Sequence, residues 1–350
     1  MKRLLFPLIV VMLFSIGVGN LFAQGEAAGE FLLIAPGARA GGMGEANVAI
    51  ANDASAAYWN PAGLANIEKR EFTIMHASWL PQFNLGDLYY DYASYVHPWQ
   101  GLGTFGLSAI YLSLGEQVRT GERGDELGRF SSYNLAIAGS YGTKLNERLS
   151  IGMSLKYIYL KLADFGAGEE KGKGNGYSLA ADFGVLYKLP WIPRMSVGAN
   201  LSNMGPKIAF IDAAQADPIP TNLKAGLAYK LLDGEYNQLT LCLDVNKLLV
   251  VKHEDGTSDS FYKAMFSSWT DSKQRTIKRL SSSIGAEYWY NHIFALRTGY
   301  FYEDIGKRRF LTFGGGLRFS MYGFDFGYIS ADKEGSPLAD TMRFSLSFRF

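Results

Sequence analysis

The chain has 350 residues, of which 14% are aromatic, 19% are charged and 40 are glycine, and its mean hydropathy is −0.02. This composition is too aromatic and too poor in charge for a disordered chain. Lysine and arginine number 34 against 33 aspartate and glutamate residues, so no net field attracts nucleic acid, and we predict no nucleic-acid partner. Cys242 is the only cysteine, which excludes an intrachain disulfide and a cysteine-rich metal site.

The first 23 residues have the order of a secretory signal peptide. Lys2 and Arg3 precede an apolar run over 4–14, and small residues follow up to Ala23. A single membrane anchor is the alternative, but the apolar run is shorter than the ~18 residues of a membrane helix, and serine, asparagine and glycine dilute its end. We predict cleavage near Ala23. No cysteine follows there, so the chain is not expected to be an acylated lipoprotein.

From about Glu71 to the end, the sequence alternates apolar residues with small or polar ones. In the last such stretch Phe344, Leu346 and Phe348 share one face of a strand, and the residues between them are arginine or serine. A period of two is that of a β-strand and not of a helix. The pattern predicts an all-β fold with fourteen strands, near 72–83, 88–98, 103–115, 131–145, 149–163, 175–189, 195–204, 221–232, 238–249, 279–290, 293–303, 309–321, 322–330 and 340–350.

The lengths of the predicted connections favour a membrane barrel over a soluble β-protein. Most connections after odd-numbered strands are long and polar, such as 116–130 and 250–278, whereas those after even-numbered strands are short turns. Tyrosines near the strand ends, such as Tyr157 and Tyr290, are typical of an aromatic girdle. We therefore predict a 14-stranded antiparallel transmembrane β-barrel in the outer membrane, spanning 71–350, with lipid around it and both chain ends in the periplasm.

Residues 24–70 are small, apolar and glycine-rich, with little period-two signal. Exposed in the periplasm, such a segment would leave apolar surface in water, so we predict that it forms a plug inside the barrel lumen. Ala54–Tyr58 is expected to form a short helix with Asp53 as its cap, which ends before Pro61.

Parts of this plug resemble known families. The run Asn60-Pro61-Ala62-Gly63 is similar to the N-terminal motif of the FadL-type fatty-acid transporters, which are fourteen-stranded barrels with an N-terminal hatch. Residues 31–44 with Trp59-Asn60-Pro61, together with 265–271, 285–290 and 337–346, more closely resemble the PorV/PorQ family of the type IX secretion system. One departure is that 272–275 replaces the Ala-Pro-Gly-Gly-Phe run usual in that family. The plug residues that carry the resemblance are Arg39, Met43, Gly44, Trp59, Asn60 and Pro61.

The resemblance implies a protein that is not an enzyme. Members of that family receive secreted cargo from the translocon, hold its C-terminal β-domain, and deliver it to the surface attachment complex. The implied partners are therefore cargo proteins with a C-terminal β-domain, translocon and attachment-complex proteins, and outer-membrane lipid. Two alternatives stay open: a FadL-like outer-membrane transporter of hydrophobic small molecules, and a structural PorQ-like member of the attachment complex.

The sequence offers no catalytic motif and no cofactor. Gly101–Gly106 matches a dinucleotide-binding string, but a period-two strand pattern follows it where the mechanism needs a helix. The four histidines are far apart, with no ligand spacing between them, so we predict no metal site.

Two further groups of residues are candidates for function. Charges predicted to face the lumen invite a pore hypothesis, but their mixed signs favour pairing with each other or with the plug backbone, with Arg39 as a partner for the acidic members. They are Lys156, Asp182, Lys224, Asp244, Arg297, Arg318 and Asp325. In the loop 250–278, an i, i+4, i+8 stripe is expected if the segment is helical, either as a lid that buries its own aromatics or as a cargo contact. Its residues are Phe261, Met265, Phe266 and Trp269.

Overall fold

The computed structural model describes most of the chain after the predicted signal peptide. The described residues are 27–121, 123–163, 174–210, 215–253, 255–270, 279–331 and 336–350. The predicted signal peptide, 1–23, lies outside them.

Fourteen strands form one closed antiparallel barrel, as the sequence predicts. Each strand pairs with the next along the chain, and β1 pairs with β14 to close the ring. The strands are β1 (Glu71–Ser78), β2 (Leu88–Trp99), β3 (Gly103–Thr120), β4 (Glu126–Lys144), β5 (Leu149–Ala163), β6 (Gly174–Lys188), β7 (Met195–Met204), β8 (Asn222–Asp233), β9 (Asn237–Leu248), β10 (Leu280–Tyr290), β11 (Phe294–Glu303), β12 (Arg309–Phe319), β13 (Tyr322–Ser330) and β14 (Met342–Arg349).

Two regions of the strand prediction differ by five residues at a strand end. β1 stops at Ser78 and not at residue 83, because Leu80 takes a left-handed φ of 51° and Pro81 opens a short 3-10 helix, Pro81–Phe83. The stretch 116–130, expected as a long loop, is mostly strand. β3 runs to Thr120 and β4 begins at Glu126, so this hairpin continues beyond the point where β2 and β5 stop pairing with it.

The apolar side chains lie on the outside of the barrel. Along β14, Phe344 and Leu346 are 42% and 45% exposed, whereas the neighbouring Arg343 and Ser345 are buried. A soluble barrel has the opposite arrangement, because it buries apolar groups inside. An apolar outer face around a polar interior is the arrangement of a barrel surrounded by lipid.

Most connections alternate in length as expected, but those over 121–125 and 304–308 follow odd-numbered strands and are short. Those after even-numbered strands are short, running over 100–102, 145–148, 189–194, 234–236, 291–293 and 320–321. The largest connection after an odd-numbered strand joins β9 to β10 and contains a helix. In barrels of this kind the short turns face the periplasm and the long loops face outward.

The N-terminal segment contains short helices and no strand among residues 27–70. Its α-helices are α1 (Ala38–Gly41) and α2 (Ala56–Trp59), and its 3-10 helices are Glu30–Leu33 and Pro61–Asn66. The predicted helix Ala54–Tyr58 with an Asp53 cap is wrong in both details. The helix starts two residues later, and Asp53 instead accepts hydrogen bonds from the Ser55 amide and from Arg39.

None of the helices in the described ranges has the length and apolar character needed to cross a membrane.

Candidate functional site

The N-terminal segment contacts inward-facing side chains around the whole ring. Hydrogen bonds join Ser94 Oγ on β2 to the Ala54 carbonyl, and Ser196 Oγ on β7 to the Ala49 carbonyl. On β14, Ser345 Oγ accepts a hydrogen bond from the Ala38 amide at 3.0 Å. A segment that bonds to the inner face of strands on opposite sides of a closed ring lies within that ring.

Asn60 and Pro61 lie against a wall of glycine. A Cβ atom on Gly142, Gly152 or Gly184 would collide with the backbone or side chain of Asn60 or Pro61. These glycines are on the consecutive strands β4, β5 and β6, so together they form one shallow seat. The pair sits there because no side chain projects from the barrel wall at these three positions.

Asn60 also joins three parts of the chain. Its Nδ2 donates to the carbonyls of Val48 and Val185, at 2.9 and 3.0 Å. Its Oδ1 accepts from the Ala62 amide and so caps the 3-10 helix that Pro61 opens. Proline suits this first helical position because it needs no amide partner. The Asn-Pro run therefore ends α2, starts the next turn and ties both to β6.

Arg39 connects the segment to the opposite wall. Its guanidinium donates to both carboxylate oxygens of Glu287 on β10, at 2.8 and 2.7 Å, and to Asp53 at 2.7 Å. Glu287 also accepts from Arg297, which reaches Asp325 at 2.9 Å. Six alternating charges thus run from Asp53 in the segment across β10 to β13, and Arg318 is the last of them, 2.8 Å from Asp325.

Met43, Gly44 and Trp59 are each held closely. Met43 is fully buried, and Gly44 takes a φ of 64° where a Cβ would meet the Tyr300 backbone. Trp59 Nε1 donates to the Pro36 carbonyl, and Lys224 Nζ lies 4.3 Å from the Trp59 ring, in the geometry of a cation–π contact. The six residues named from the sequence motif thus all lie inside the barrel; the role assigned to them stays a prediction.

The prediction that inward charges pair with each other or with the segment is confirmed for six of the seven residues; Lys224 contacts only the Trp59 ring in the described part of the chain. Lys156 lies 3.1 Å from Asp182. Asp244 accepts from the backbone amides of Asn47 and Val48, at 2.8 and 2.9 Å. These pairs satisfy the charges within the protein, and they do not form a lining of one sign such as a selective pore requires.

A cavity of about 550 Å³ lies between the N-terminal segment and the barrel wall at the short-turn end. Its floor includes Arg39 and Glu287, and its walls come from the ends of β4 and β6 to β10. No group of three histidine, cysteine, aspartate or glutamate side chains suited to a metal ion occurs in the described part of the chain.

The loop between β9 and β10 contains the predicted helix, α3 (Phe261–Ser267), and its aromatic side chains are buried to different degrees. Phe266 is 77% exposed, Tyr262 64% and Trp269 45%. Phe261 and Met265 are half-buried, and the side chains that face inward are the small Ala264 and Ser268. The remaining part of the predicted loop, 271–278, lies outside the described residues.

A buried carboxylate holds α3 in place. Asp259 accepts hydrogen bonds from Ser267 Oγ at 2.7 Å and His253 Nε2 at 3.0 Å, and Lys263 Nζ lies 2.8 Å from it. Burial alone would raise the pKa of Asp259, but these hydrogen bonds outweigh it and hold the pKa well below its usual range. The helix is therefore fixed by polar contacts at its base, while Tyr262 and Phe266 extend into solvent.

Sequence reasoning missed Glu287 and the three glycines of the Asn60–Pro61 seat. The signal for Glu287 was a single acid among the inward-facing positions of β10, in phase with Ser281 and Ser283. The glycines carried a signal as well, since they recur at inward positions at the same end of three consecutive strands. Identifying their partner required the position of the segment in space.

A closed fourteen-stranded barrel with apolar residues outside and a polar interior defines the chain as an outer-membrane β-barrel protein. Solved structures with the same fold include two toluene transporters. TodX of Pseudomonas putida has a TM-score of 0.56 and 15% identity, covering 90% of this chain and 98% of that one. TbuX of Ralstonia pickettii has a TM-score of 0.53 and 14% identity, covering 91% and 100%.

A comparison with protein-family models shows to which family of such barrels the chain belongs. The model for type IX secretion system protein PorV matches residues 24–255, which is more than half of the chain. The chain therefore belongs to the PorV family, an outer-membrane family of type IX secretion. Neither this family nor the transporters of similar fold are enzymes. No curated protein sequence matches the chain significantly.

Proposed function

We propose that the protein is a cargo carrier of the type IX secretion system. It binds the C-terminal β-domain of secreted proteins as they leave the translocon and delivers them to the attachment complex at the cell surface. Membership of the PorV family supports this proposal. The observation that carries it is the exposed aromatic face of α3, formed by Tyr262 and Phe266, on the long-loop side of the barrel.

The chemistry of this aromatic face suits a protein partner. Large apolar side chains that stay in water although the fold could bury them commonly mark interaction sites, and aromatic residues dominate the binding energy of such sites. Lys263 lies on the same helix and adds a charge beside them. The hydrogen bonds of Asp259 fix the helix before binding, which lowers the entropy that association must overcome.

The filled lumen favours the rim over the interior as the docking surface. Residues 27–70 bond to strands on all sides of the ring, and the arginine–carboxylate chain ties them to β10. A β-domain could enter the lumen only after these contacts were broken. We therefore propose that the segment acts as a plug and that cargo contacts the outer loops.

The test is a pair of matched double variants in a strain that secretes a reporter with the C-terminal β-domain. In the variant Tyr262→Ser/Phe266→Ser, we expect about a tenfold or greater fall in surface-delivered reporter, because two exposed aromatic anchors commonly contribute more than 1 kcal/mol each. The control variant Trp191→Ser/Tyr236→Ser removes exposed aromatics at the short-turn end. Both barrels should shift on heating in gels as the wild type does. Normal delivery by the first variant would exclude α3 from the mechanism.

A second candidate function is transport of hydrophobic small molecules. It is favoured by the fold shared with the toluene transporters and by the cavity of about 550 Å³. Isolation of the tagged protein from solubilised outer membranes separates the two candidates. Proteins sharing one C-terminal β-domain, or a very large translocon barrel, would support the carrier. Bound fatty acid or other lipid without protein partners would support the transporter, and attachment-complex proteins alone would support the structural PorQ-like alternative.

A further inference from the structure

The cavity at the short-turn end is lined by cations from successive strands. Alternation along each strand places Lys144, Lys188 and Lys230 on the inner face, in phase with the inward-facing Gly142, Leu186 and Ala228. Arg194 directly precedes β7, in a left-handed conformation with a φ of 71°. All four cations line the same cavity.

Most of this positive charge is not neutralised within the protein. Lys230 lies 3.5 Å from Asp233, and Arg39 on the floor is fully engaged with Glu287 and Asp53. Within the ranges that the structure covers, Lys144, Lys188 and Arg194 have no ion-pair partner, and the only acid of the cavity left over is Glu68. Three free cations thus face one free carboxylate across the cavity.

The cavity is also partly apolar. Ile50 of the N-terminal segment, Leu186 and Leu189 of the β6 end, and Met195 of β7 line it beside the cations. Sites for small molecules typically have volumes of about 300–1,000 Å³, mostly apolar walls and a few polar groups that fix orientation. This cavity has that size, and its lining combines charged groups with apolar side chains.

We propose that this cavity binds an anionic amphiphile, a molecule with a carboxylate or phosphate head and a short apolar tail. The head lies against Lys188, Arg194 and Lys144, and the tail lies on Ile50, Leu186 and Met195. The cavity is closed on two sides by the barrel wall and the N-terminal segment, which suits a small molecule better than a folded partner. This proposal concerns the opposite end of the barrel from α3 and does not depend on the cargo-carrier function.

Equilibrium dialysis of the full chain in nanodiscs of zwitterionic lipid tests the proposal. The probes are octanoate and octyl phosphate, with acetate, inorganic phosphate and octanol as partial mimics, and empty nanodiscs give the background. We expect saturable binding of both amphiphiles at one molecule per barrel. Acetate and phosphate, which lack a tail, and octanol, which lacks a charge, should each bind at least about tenfold more weakly.

Two double variants locate the site. Lys188→Gln/Arg194→Gln should weaken binding of both amphiphiles about tenfold or more, since hydrogen bonds to charged groups are the stronger ones. Arg123→Gln/Lys307→Gln removes the same charge at the opposite end and should bind like the wild type. Comparing octanoate with octyl phosphate distinguishes a free carboxylate from a phosphate-bearing lipid as the natural source, and either preference supports the site.

Three results would overturn the proposal. The first is equal binding by Lys188→Gln/Arg194→Gln and the wild type. The second is binding of acetate or octanol as strong as that of octanoate, because the site would then not require both a charged head and an apolar tail. The third is tighter binding of an alternating glutamate–leucine peptide than of either amphiphile, which would assign the cavity to a protein segment.

Discussion

At the scale of single residues, Glu287 is shared by two arginines from different parts of the chain. It lies 2.7 Å from both Arg39 and Arg297, and its side chain is almost fully buried. We expect Glu287→Gln to lower the free energy of unfolding by about 3–5 kcal/mol, because two buried cations would lose their common carboxylate. The temperature at which the barrel loses its folded mobility in gels should fall accordingly.

A double-mutant cycle checks that the loss comes from the pair. Adding Arg39→Gln to Glu287→Gln removes one of the two uncompensated charges, so the double variant should be more stable than the sum of the two single effects predicts. Strict additivity would mean that Arg39 and Glu287 do not stabilise each other. It would also weaken the view that this contact holds the N-terminal segment in the barrel.

The seat of Asn60 and Pro61 gives a second residue-scale prediction. In Gly152→Ala, the new Cβ would collide with the Pro61–Ala62 backbone, so the segment must shift. Overpacking of this kind costs about 1–3 kcal/mol, and we expect a matching fall in thermal stability. Gly139→Ala on the neighbouring β4 is the control, since nothing lies within 4 Å of its Cβ. Equal stability of the two variants would show that the seat tolerates a side chain.

The sequence predicts a contact of this site only where a physical requirement of the residue is visible without the three-dimensional structure. Arg39 was expected to pair with one of the inward-facing aspartates, because a buried cation needs a partner, but its partner on the barrel wall is a different acid. The identity of that acid, Glu287, was not predicted, because 248 positions separate the two residues and only the closed barrel brings them together. Asp53 was predicted as a helix cap, yet pairing with Arg39 competes for the same carboxylate.

At the scale of elements, strands were predicted well inside the membrane and poorly outside it. The hairpin of β3 and β4 extends over 116–120 and 126–132, where most residues are polar and only Val118, Leu127 and Phe130 are large and apolar. Alternation of apolar and polar residues exists only where one face meets lipid, so a strand surrounded by water resembles a loop in sequence. Ion pairs of Arg129 with Glu116 and Glu126 accompany this extension.

The anchor of α3 gives an element-scale prediction with a pH dependence. The pKa of Asp259 is lowered in the folded loop, so its contribution to loop stability is complete above the unfolded value of about 4. That contribution is lost as the pH falls below this value toward the lower folded pKa. Amide hydrogen exchange over 261–267, corrected for the intrinsic rate, should therefore quicken in acid while the strands stay protected.

Asp259→Asn tests the same anchor at neutral pH. The amide cannot form the ion pair with Lys263, so α3 should exchange at pH 7 about as fast as in the wild type at acid pH. Asp255→Asn, an exposed change in the same loop, is the control. Unchanged protection of α3 in Asp259→Asn would show that the packing of Ala264 and Ser268 is sufficient to hold the helix.

At the scale of the whole molecule, the sequence predicted the number of strands and the outward-facing apolar side chains. Both appear in it as an alternation of apolar and polar residues. The aromatic face of α3 was predicted as a helical stripe, but its direction was not. A stripe of apolar residues indicates which side chains share a face, and not whether that face is buried. The small residues Ala264 and Ser268 turn inward because Asp259 fixes the base of the helix.

The remaining whole-molecule prediction concerns the route of the cargo. Ser196 on β7 bonds to Ala49 of the N-terminal segment at 2.9 Å. In a Cys242→Ala background, Ala49→Cys and Ser196→Cys can be joined by a short bismaleimide, which fixes the segment in the lumen. If cargo docks on the outer loops, the cross-linked protein should deliver reporter at the rate of either single-cysteine variant treated in the same way.

Transport through the lumen gives the opposite result in the same experiment. A substrate that crosses the barrel must pass residues 27–70, which bond to strands around the ring, so fixing them should abolish its passage. Reporter delivery that stops on cross-linking and returns when the cross-link is omitted would therefore contradict docking at the rim. Delivery that continues, together with its loss in Tyr262→Ser/Phe266→Ser, would assign cargo binding to α3 and leave the lumen as a structural support.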